Sequence, residues 1–178
     1  MSKEKDSKTS KKESGSKTLL LMRHAKSSWK HTELADHERP LNKRGEKDAP
    51  RMGKFIKEKK LLPDIILCSS AVRARSTAEA MIDKSGFKGE VRYLDSLYLA
   101  EPDAYLAELA MLPEGIKKVM VIGHNPGLEG LLQILCKKVE SLPTAALADL
   151  KIPIENWSEI KNNVEGKLVD LWRPRELK

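Results

Sequence analysis

Residues 18–28 have the sequence Thr-Leu-Leu-Leu-Met-Arg-His-Ala-Lys-Ser-Ser, in which an apolar run stops abruptly at charged and polar side chains. A short apolar run bounded by polar residues is typical of a buried strand. The pattern therefore predicts a strand from Thr18 to Arg23, and it puts His24 and Ser27 in the segment that follows this strand.

The rest of the chain continues with apolar runs that alternate with segments of helical periodicity. Further strands are predicted at 64–68, 91–94, 118–123, 145–152 and 167–172. Amphipathic or proline-initiated patterns predict helices at 41–60, 71–84, 102–111 and 126–136. Strands that alternate with helices favour an α/β fold, so we expect a three-layer sandwich with a mostly parallel central sheet flanked by helices.

Length and charge distribution indicate one folded domain that follows a tail. The 178 residues fit a single domain. Residues 1–17 hold six lysines and three acidic residues, with no apolar residue after Met1, so this Lys/Ser-rich segment is predicted to be disordered. We expect residues 18–178 to form the domain. Nearly half of the net charge of +7 lies in the tail and aromatic residues make up only 4%, so no specific nucleic-acid binding is expected.

The sequence has no run of ~18 apolar residues that could span a membrane, and its N-terminus lacks the apolar segment of a secretory signal. A cytoplasmic location is therefore expected. Cys68 and Cys136 each follow an apolar run and are expected to be buried structural thiols. Neither these cysteines nor the loop histidines His24, His31 and His37 have the spacing of a metal site, so we expect no metal and no cofactor.

Polar residues follow three of the predicted strands. Ligands of open α/β sheets bind beyond the carboxyl ends of the strands, so these positions are the candidates for a functional site. The candidates are Arg23, His24, Ser27, Ser69, Ser70, Arg73, His124 and Asn125. Arg39 lies in the loop after the first strand and could fold over the same edge.

Histidines and arginines at one edge of a sheet are suited to phosphoryl transfer. Neutral imidazole is a competent nucleophile near pH 7 when its other ring nitrogen is held by a hydrogen bond. Phosphoryl transfer spreads negative charge over three oxygens, and the planar fork of arginine binds such oxygens in a bidentate manner. Helix N-termini after the strands would add oriented backbone N–H groups. The set therefore predicts a site for phosphoryl chemistry.

These motifs resemble those of the histidine phosphatase superfamily, whose members share the phosphoglycerate-mutase-like fold. The family carries Arg-His-Gly after its first strand, a Ser…Arg-Ala-x-x-Thr-Ala helix start and a late Gly-His. The resemblance implies that His24 is the nucleophile that accepts the phosphoryl group. It also implies that Arg23 and Arg73 bind phosphate and that His124 completes the pocket.

Two features are similar to the small SixA-type phosphohistidine phosphatases. Ala25 stands where most of the superfamily has glycine, and residues 36–41 (Asp-His-Glu-Arg-Pro-Leu) look like that subgroup. The resemblance implies that the substrate is a protein that carries phosphohistidine. The candidates for substrate binding are therefore Asp36, Arg39, Ser27 and Asn125. Residues 171–177 also resemble members of this group, but no chemistry follows from them.

The proton donor that is usual in the superfamily is not recognisable. Mutases and many phosphomonoesterases carry a glutamate in a Leu-Glu motif, and residues 94–102 do not contain it. Asp36, Asp95 and Glu101 are possible replacements. A phosphohistidine needs such an acid less, because a protonatable imidazole leaves more readily than an alkoxide, so the missing motif favours phosphoramidate substrates.

Two other functions fit the same residues. A small-molecule phosphomonoesterase or pyrophosphatase would use this fold and these arginines, and a phosphohistidine-binding module without turnover would need much of the same pocket. Trp29 could form the wall of the pocket mouth or anchor its own loop. The oligomeric state does not follow from the sequence.

Overall fold

The computed structural model describes residues 15–177, which form six strands and four α-helices. The strands are β1 (Lys17–Arg23), β2 (Ile65–Ser69), β3 (Glu90–Leu94), β4 (Lys118–Gly123), β5 (Leu147–Ile152) and β6 (Lys167–Trp172). The helices are α1 (Lys43–Glu58), α2 (Val72–Ser85), α3 (Pro102–Ala110) and α4 (Gly127–Cys136). Every strand and helix expected from the sequence is present, with ends that differ by at most two residues.

The six strands form one sheet in the order β3-β2-β4-β1-β5-β6. Neighbours from β3 to β1 pair in parallel, whereas β5 is antiparallel to both β1 and β6. Five strands therefore point in one direction and β5 alone points in the other. The predicted mostly parallel sheet is confirmed, and the carboxyl ends of β1, β2, β4 and β6 meet at one edge.

The two faces of the sheet are covered by different pairs of helices. Residues of α1 and α2 form one hydrophobic core, and residues of α3 and α4 form the other. Side chains of β1 alternate between the two, because successive residues of a strand point to opposite faces. Leu19 and Leu21 belong to one core, Leu20 and Met22 to the other. This arrangement confirms the three-layer sandwich and explains the continuous apolar run of β1.

The domain begins one residue earlier than predicted. Lys17, which was expected to be the last residue of the tail, is the first residue of β1 and pairs with Ile152. Its side chain is buried, and Nζ donates to the carbonyl oxygen of Glu114 at 3.3 Å. The predicted disorder of residues 1–14 lies outside the described residues. Within residues 15–177 there is no helix of the length and apolarity needed to cross a membrane.

Helix α2 follows β2 so closely that it brings the end of the strand and the first helical turn together. Only Ser70 and Ala71 separate the two elements, and Arg73 lies in the first turn. At the other end the helix stops at Gly86, whose φ of 77° lies in the left-handed region that glycine adopts without strain. The short connection fixes the position of Arg73 relative to β2.

Candidate active site

A cavity of about 260 Å³ lies at the edge of the sheet where β1, β2 and β4 end. It is lined by Arg23, His24, Lys26, Ser27, Trp29, Asp36, Arg39, Arg73, Leu99, His124, Asn125 and Thr144. The residues predicted to act in catalysis or substrate binding all line it, whereas the candidates Ser69 and Ser70 do not. Residues from six separate segments of the chain thus converge on one small volume.

His24 is held in one tautomer by a hydrogen bond to the backbone. Its ring Nδ1 lies 2.8 Å from the carbonyl oxygen of Ala25. A carbonyl oxygen only accepts hydrogen bonds, so Nδ1 must carry the proton and Nε2 keeps its lone pair. The backbone N–H of His24 donates to the carbonyl oxygen of Gly123 at 3.1 Å, which fixes this segment to the end of β4. The arrangement provides a neutral imidazole with a free Nε2.

Burial keeps both cavity histidines in the neutral form. Desolvation, together with the neighbouring His124 and arginines, lowers the pKa of His24 to about 3, although the hydrogen bond to the Ala25 carbonyl opposes the shift. Desolvation, followed by the charge of Arg73, lowers the pKa of His124 to about 4. Since a histidine is neutral above its pKa, both rings are uncharged at neutral pH.

This charge state can be measured by nitrogen-15 NMR of the ring nitrogens in the unliganded protein. We expect His24 and His124 to remain neutral from about pH 8 to about pH 5, while a histidine in an unstructured peptide titrates with a pKa near ~6.5. His24 should show a protonated Nδ1 and an unprotonated Nε2. Spectra of His24→Asn and His124→Asn variants would assign the signals, and protonation of His24 near pH 6.5 would contradict the expected burial effect.

His124 is oriented by hydrogen bonds to both ring nitrogens. Nδ1 lies 3.4 Å from Nη2 of Arg73, and Nε2 lies 2.7 Å from Oγ of Ser69. A guanidinium only donates, so Nδ1 accepts and Nε2 carries the proton. The backbone N–H of His124 donates to the hydroxyl of Tyr105 at 3.2 Å. A Cβ at Gly123 would collide with that same hydroxyl, which explains why glycine precedes this histidine.

Arg73 is buried and makes two hydrogen bonds to Asp36. Nη1 donates to the backbone carbonyl oxygen of Asp36 at 2.7 Å, and Nη2 donates to its carboxylate Oδ2 at 3.0 Å. Thr77 connects this helix to the segment of His24, since its hydroxyl donates to the carbonyl oxygen of Arg73 at 2.7 Å and accepts from the N–H of Ala25 at 2.9 Å. Arg73 and the residue after His24 are therefore held by one side chain.

Asp36 connects the two arginines Arg39 and Arg73. Nε of Arg39 donates to Oδ1 of Asp36 at 3.1 Å, and the hydroxyl of Tyr98 donates to Oδ2. The Tyr98 hydrogen bond, with the two arginines, holds the pKa of Asp36 at about 2 although desolvation opposes the shift. Asp36 is consequently a carboxylate at neutral pH, and its contacts are those of a residue that positions the arginines rather than those of a proton donor.

The other two proposed proton donors do not line the cavity. Asp95 begins a 3-10 turn (Asp95–Leu97), and Glu101 precedes Pro102 at the start of α3; both are exposed. The expectation that either replaces the missing acid is therefore not met by their positions. Two residues of this stretch do reach the site: Leu99 lines the cavity, and Tyr98 contacts it through Asp36. The contacts that Tyr98, Ser69 and Thr77 make in the site were not predicted from the sequence, because their partners are distant in sequence.

The amide of Asn125, predicted to bind substrate, is used within the protein. Its Nδ2 lies 2.8 Å from both Oε1 of Glu129 and the carbonyl oxygen of Leu142, and its Oδ1 accepts from the N–H of Glu129. These contacts fasten the start of α4 to the segment before β5. Asn125 forms part of the cavity wall, but its polar atoms are satisfied internally.

Arg23 and Arg39 retain donors that other residues do not use. Arg23 donates from Nη1 to the carbonyl oxygen of Leu142 at 3.1 Å, while its buried Nε has no partner among residues 15–177. Arg39 donates from Nη1 to the hydroxyl of Ser27 at 2.9 Å, and its guanidinium carbon lies 3.5 Å from the ring centroid of Trp29. Trp29 is 71% exposed, so it forms the outer wall of the cavity and packs against Arg39.

The loop histidines outside the cavity have other contacts. His37 Nε2 lies 2.9 Å from Oγ of Ser70, and its ring packs edge-on against Tyr98 with centroids 4.7 Å apart. His31 lies near Glu33 on the surface. Across the described residues 15–177, no group of three or more His, Cys, Asp or Glu side chains is arranged to hold a metal ion.

The chain is similar to proteins of one family in both sequence and structure. A sequence profile of the histidine phosphatase superfamily (branch 1) matches residues 19–98. An uncharacterized chloroplastic protein of Arabidopsis thaliana is 35% identical over 81% of this chain and 70% of its own length.

Two solved SixA structures have the same fold. SixA of Nakamurella multipartitia is 27% identical with a TM-score of 0.79, covering 90% of this chain and 97% of that protein. The protein histidine phosphatase SixA in complex with tungstate is 25% identical with a TM-score of 0.78, covering 90% and 99%. The profile includes the segments of His24, Asp36 and Arg73, and the structural likeness extends over β4 to β6. The chain therefore belongs to the histidine phosphatase superfamily.

Proposed function

We propose that this protein is a phosphatase that removes the phosphoryl group from phosphohistidine in a protein, through a covalent intermediate on His24. The observation that carries the proposal is the fixed tautomer of His24, whose free Nε2 belongs to a ring in the same cavity as three arginines. A phosphoryl group suits a neutral nucleophile surrounded by permanent positive charge. The likeness to a SixA bound to tungstate, an oxyanion shaped like phosphate, supports this choice.

In the first step, Nε2 of His24 attacks the phosphorus while the P–N bond of the substrate breaks, and the protonated substrate ring leaves as neutral imidazole. In the second step, a water oxygen attacks the phosphorus, the bond to Nε2 breaks, and the water protons leave with inorganic phosphate and bulk water. Arg23, Arg39 and Arg73 stabilise the charge on the transferred oxygens. Nδ1 keeps its proton throughout, held by the Ala25 carbonyl.

The choice of phosphohistidine over a phosphomonoester rests on which proton donors line the cavity. Within residues 15–177, the carboxyl group that lines it belongs to Asp36, and the pKa of this group is about 2. A serine, tyrosine or sugar leaving group needs a proton at the moment of departure, so it needs an acid of higher pKa. A protonated imidazole carries its own proton, and substrates of this kind suit the cavity best.

The test is a comparison of kcat/KM for one peptide sequence that carries phosphohistidine, phosphoserine or phosphotyrosine at the same position, with 3-phosphoglycerate as a small substrate. We expect phosphohistidine to be hydrolysed at least about tenfold faster, because its leaving group needs no enzymatic acid. The assays contain EDTA, since we propose that the arginines supply the charge that a metal would otherwise give. A phosphomonoester that is turned over tenfold faster would favour a small-molecule phosphatase.

An Asp36→Asn variant serves as the control for the acid. If Asp36 only positions the two arginines, the substitution should lower kcat/KM for phosphohistidine and phosphotyrosine peptides by a similar factor. If Asp36 donates a proton, the phosphotyrosine reaction should suffer more. Loss of activity in EDTA that one divalent ion restores would contradict the metal-independent mechanism.

The physiological partner that follows from this proposal is a protein that carries phosphohistidine. We propose the cytoplasm as its location, as expected from the sequence, and fractionation of cells that express the protein would check this. The absence of specific nucleic-acid binding also stays a prediction.

A further inference from the structure

A second, larger cleft adjoins the catalytic cavity. It has a volume of about 430 Å³ and shares Arg23, Lys26 and Thr144 with the catalytic cavity. Its remaining lining comes from Arg44, Pro143, Arg173, Pro174, Arg175 and Glu176. Five cationic side chains therefore face one acidic side chain. We call this space the C-terminal cleft, because four of its residues belong to residues 173–176.

The C-terminal segment is fixed in place over this cleft. Arg173 donates from Nη2 to the carbonyl oxygen of Ser141 at 3.1 Å and lies 3.4 Å from the carboxylate of Glu140. Pro174 is buried, and the ring of Trp172 packs against Phe55 of α1 with centroids 5.1 Å apart. Contacts on both sides thus hold the backbone that presents Arg175, so its guanidinium is attached to a rigid support.

Three of the five cations (Arg23, Lys26 and Arg175) have no ion pair within the described chain. Arg173 is paired with Glu140 and Arg44 with Asp48. Lys26 and Arg175 are exposed and form no salt bridge with any residue from 15 to 177. A cavity with an excess of positive charge beside a phosphoryl site favours a ligand with negative charge at both places.

We propose that the C-terminal cleft binds a second anionic group of the same substrate, with Arg175 and Lys26 as its principal contacts. This inference rests on the proposed function, since His24 must take the phosphoryl group for the second group to reach the cleft. The second group is a carboxylate or phosphoryl group. It comes either from an acidic residue that flanks the phosphohistidine or from the far end of a small bisphosphorylated molecule.

Binding is tested first without catalysis, by calorimetry. The ligands are α,ω-alkane bisphosphonates with a series of spacer lengths, each compared with the alkyl monophosphonate of equal length. At low ionic strength the best bisphosphonate should bind about tenfold tighter than its monophosphonate, the scale of one charge-assisted hydrogen bond. Arg175→Gln should remove most of this tenfold preference and change monophosphonate binding less than about twofold.

The matched control is Arg92→Gln, which removes a half-buried arginine from β3, the edge strand of the sheet farthest from β6. It should leave the preference for the bisphosphonate unchanged. Equal binding of both ligand types to the unaltered protein, or the same loss in both variants, would overturn the proposal.

A second arm separates the two sources of the anion. Phosphohistidine peptides with Glu or Gln beside the phosphohistidine are compared for kcat/KM, and a preference for Glu that Arg175→Gln abolishes supports a protein substrate. A bisphosphonate preference without any such peptide preference supports a small-molecule source. If no phosphohistidine peptide is turned over but Arg175 still determines bisphosphonate binding, the proposed substrate is wrong, whereas the proposal that the cleft binds a second anionic group is supported.

Discussion

Replacement of His24 by alanine should lower kcat by ~10⁴-fold or more, the scale seen when a covalent nucleophile is removed from an enzyme. The reason is that no other side chain in the cavity can replace the imidazole of His24 as a nucleophile. Its Nδ1 is fixed by the carbonyl oxygen of Ala25, and the other cavity histidine, His124, is bound through both ring nitrogens to Arg73 and Ser69. No second free imidazole nitrogen is available among the residues that line the cavity.

The measurement pairs steady-state turnover with trapping of the intermediate. The unaltered protein, incubated with a phosphoryl donor and quenched without acid, should carry an acid-labile and base-stable phosphate on His24. His31→Ala is the matched control, because His31 belongs to the same loop region but does not line the cavity, and it should retain both turnover and label. Normal turnover in His24→Ala would rule out the covalent mechanism, and phosphopeptide binding without any phosphoenzyme would favour the binding module.

Replacement of Arg73 by alanine should lower kcat/KM by ~10²–10³, the cost of deleting one preorganised charge-stabilising donor. Arg73 is 2% exposed and contacts both Asp36 and His124, so the substitution removes charge from the cavity and loosens two neighbouring side chains. In an enzyme whose chemistry depends on positioning and charge, such a change acts mainly on the transition state.

Arg75→Ala provides the comparison on the same helix. Arg75 does not line the cavity; its Nε donates to the carbonyl oxygen of Ser70 and its guanidinium lies 4.1 Å from the ring centroid of Tyr93. We expect a loss of less than about tenfold, since an alanine here removes only local packing. Urea unfolding of both variants separates lost activity from lost stability, and a larger kinetic loss for Arg75→Ala would show that the wrong arginine was assigned to the phosphate.

The sequence was sufficient to predict the elements because each has a strong local signal. The apolar run of β1 and the polar residues after it predict both a buried strand and the position of His24. The convergence of His24, Arg73 and His124 also follows from local patterns, since parallel strands deliver their carboxyl ends to one edge. These predictions needed no knowledge of long-range contacts.

What the sequence could not predict depends on contacts between distant residues. Tyr98 reaches Asp36 across 62 positions, and Thr77 joins the segment of His24 across 52. Asn125 looked like a ligand-binding residue because it follows His124, but its amide donates to the carbonyl oxygen of Leu142, 17 positions later. Local periodicity contains no information about such pairs.

The reversed direction of β5 has a practical consequence for anyone who attaches a label to this protein. Because β5 returns across the sheet, β6 ends at the margin that holds His24, and residues 173–176 line the cleft beside the catalytic cavity. The start of β1 lies at the opposite margin, ~20 Å away for a strand of seven residues. A fluorescent protein or affinity handle joined after Leu177 would therefore begin one residue beyond the segment that lines this cleft, whereas the same handle joined before Gly15 would begin near the opposite margin.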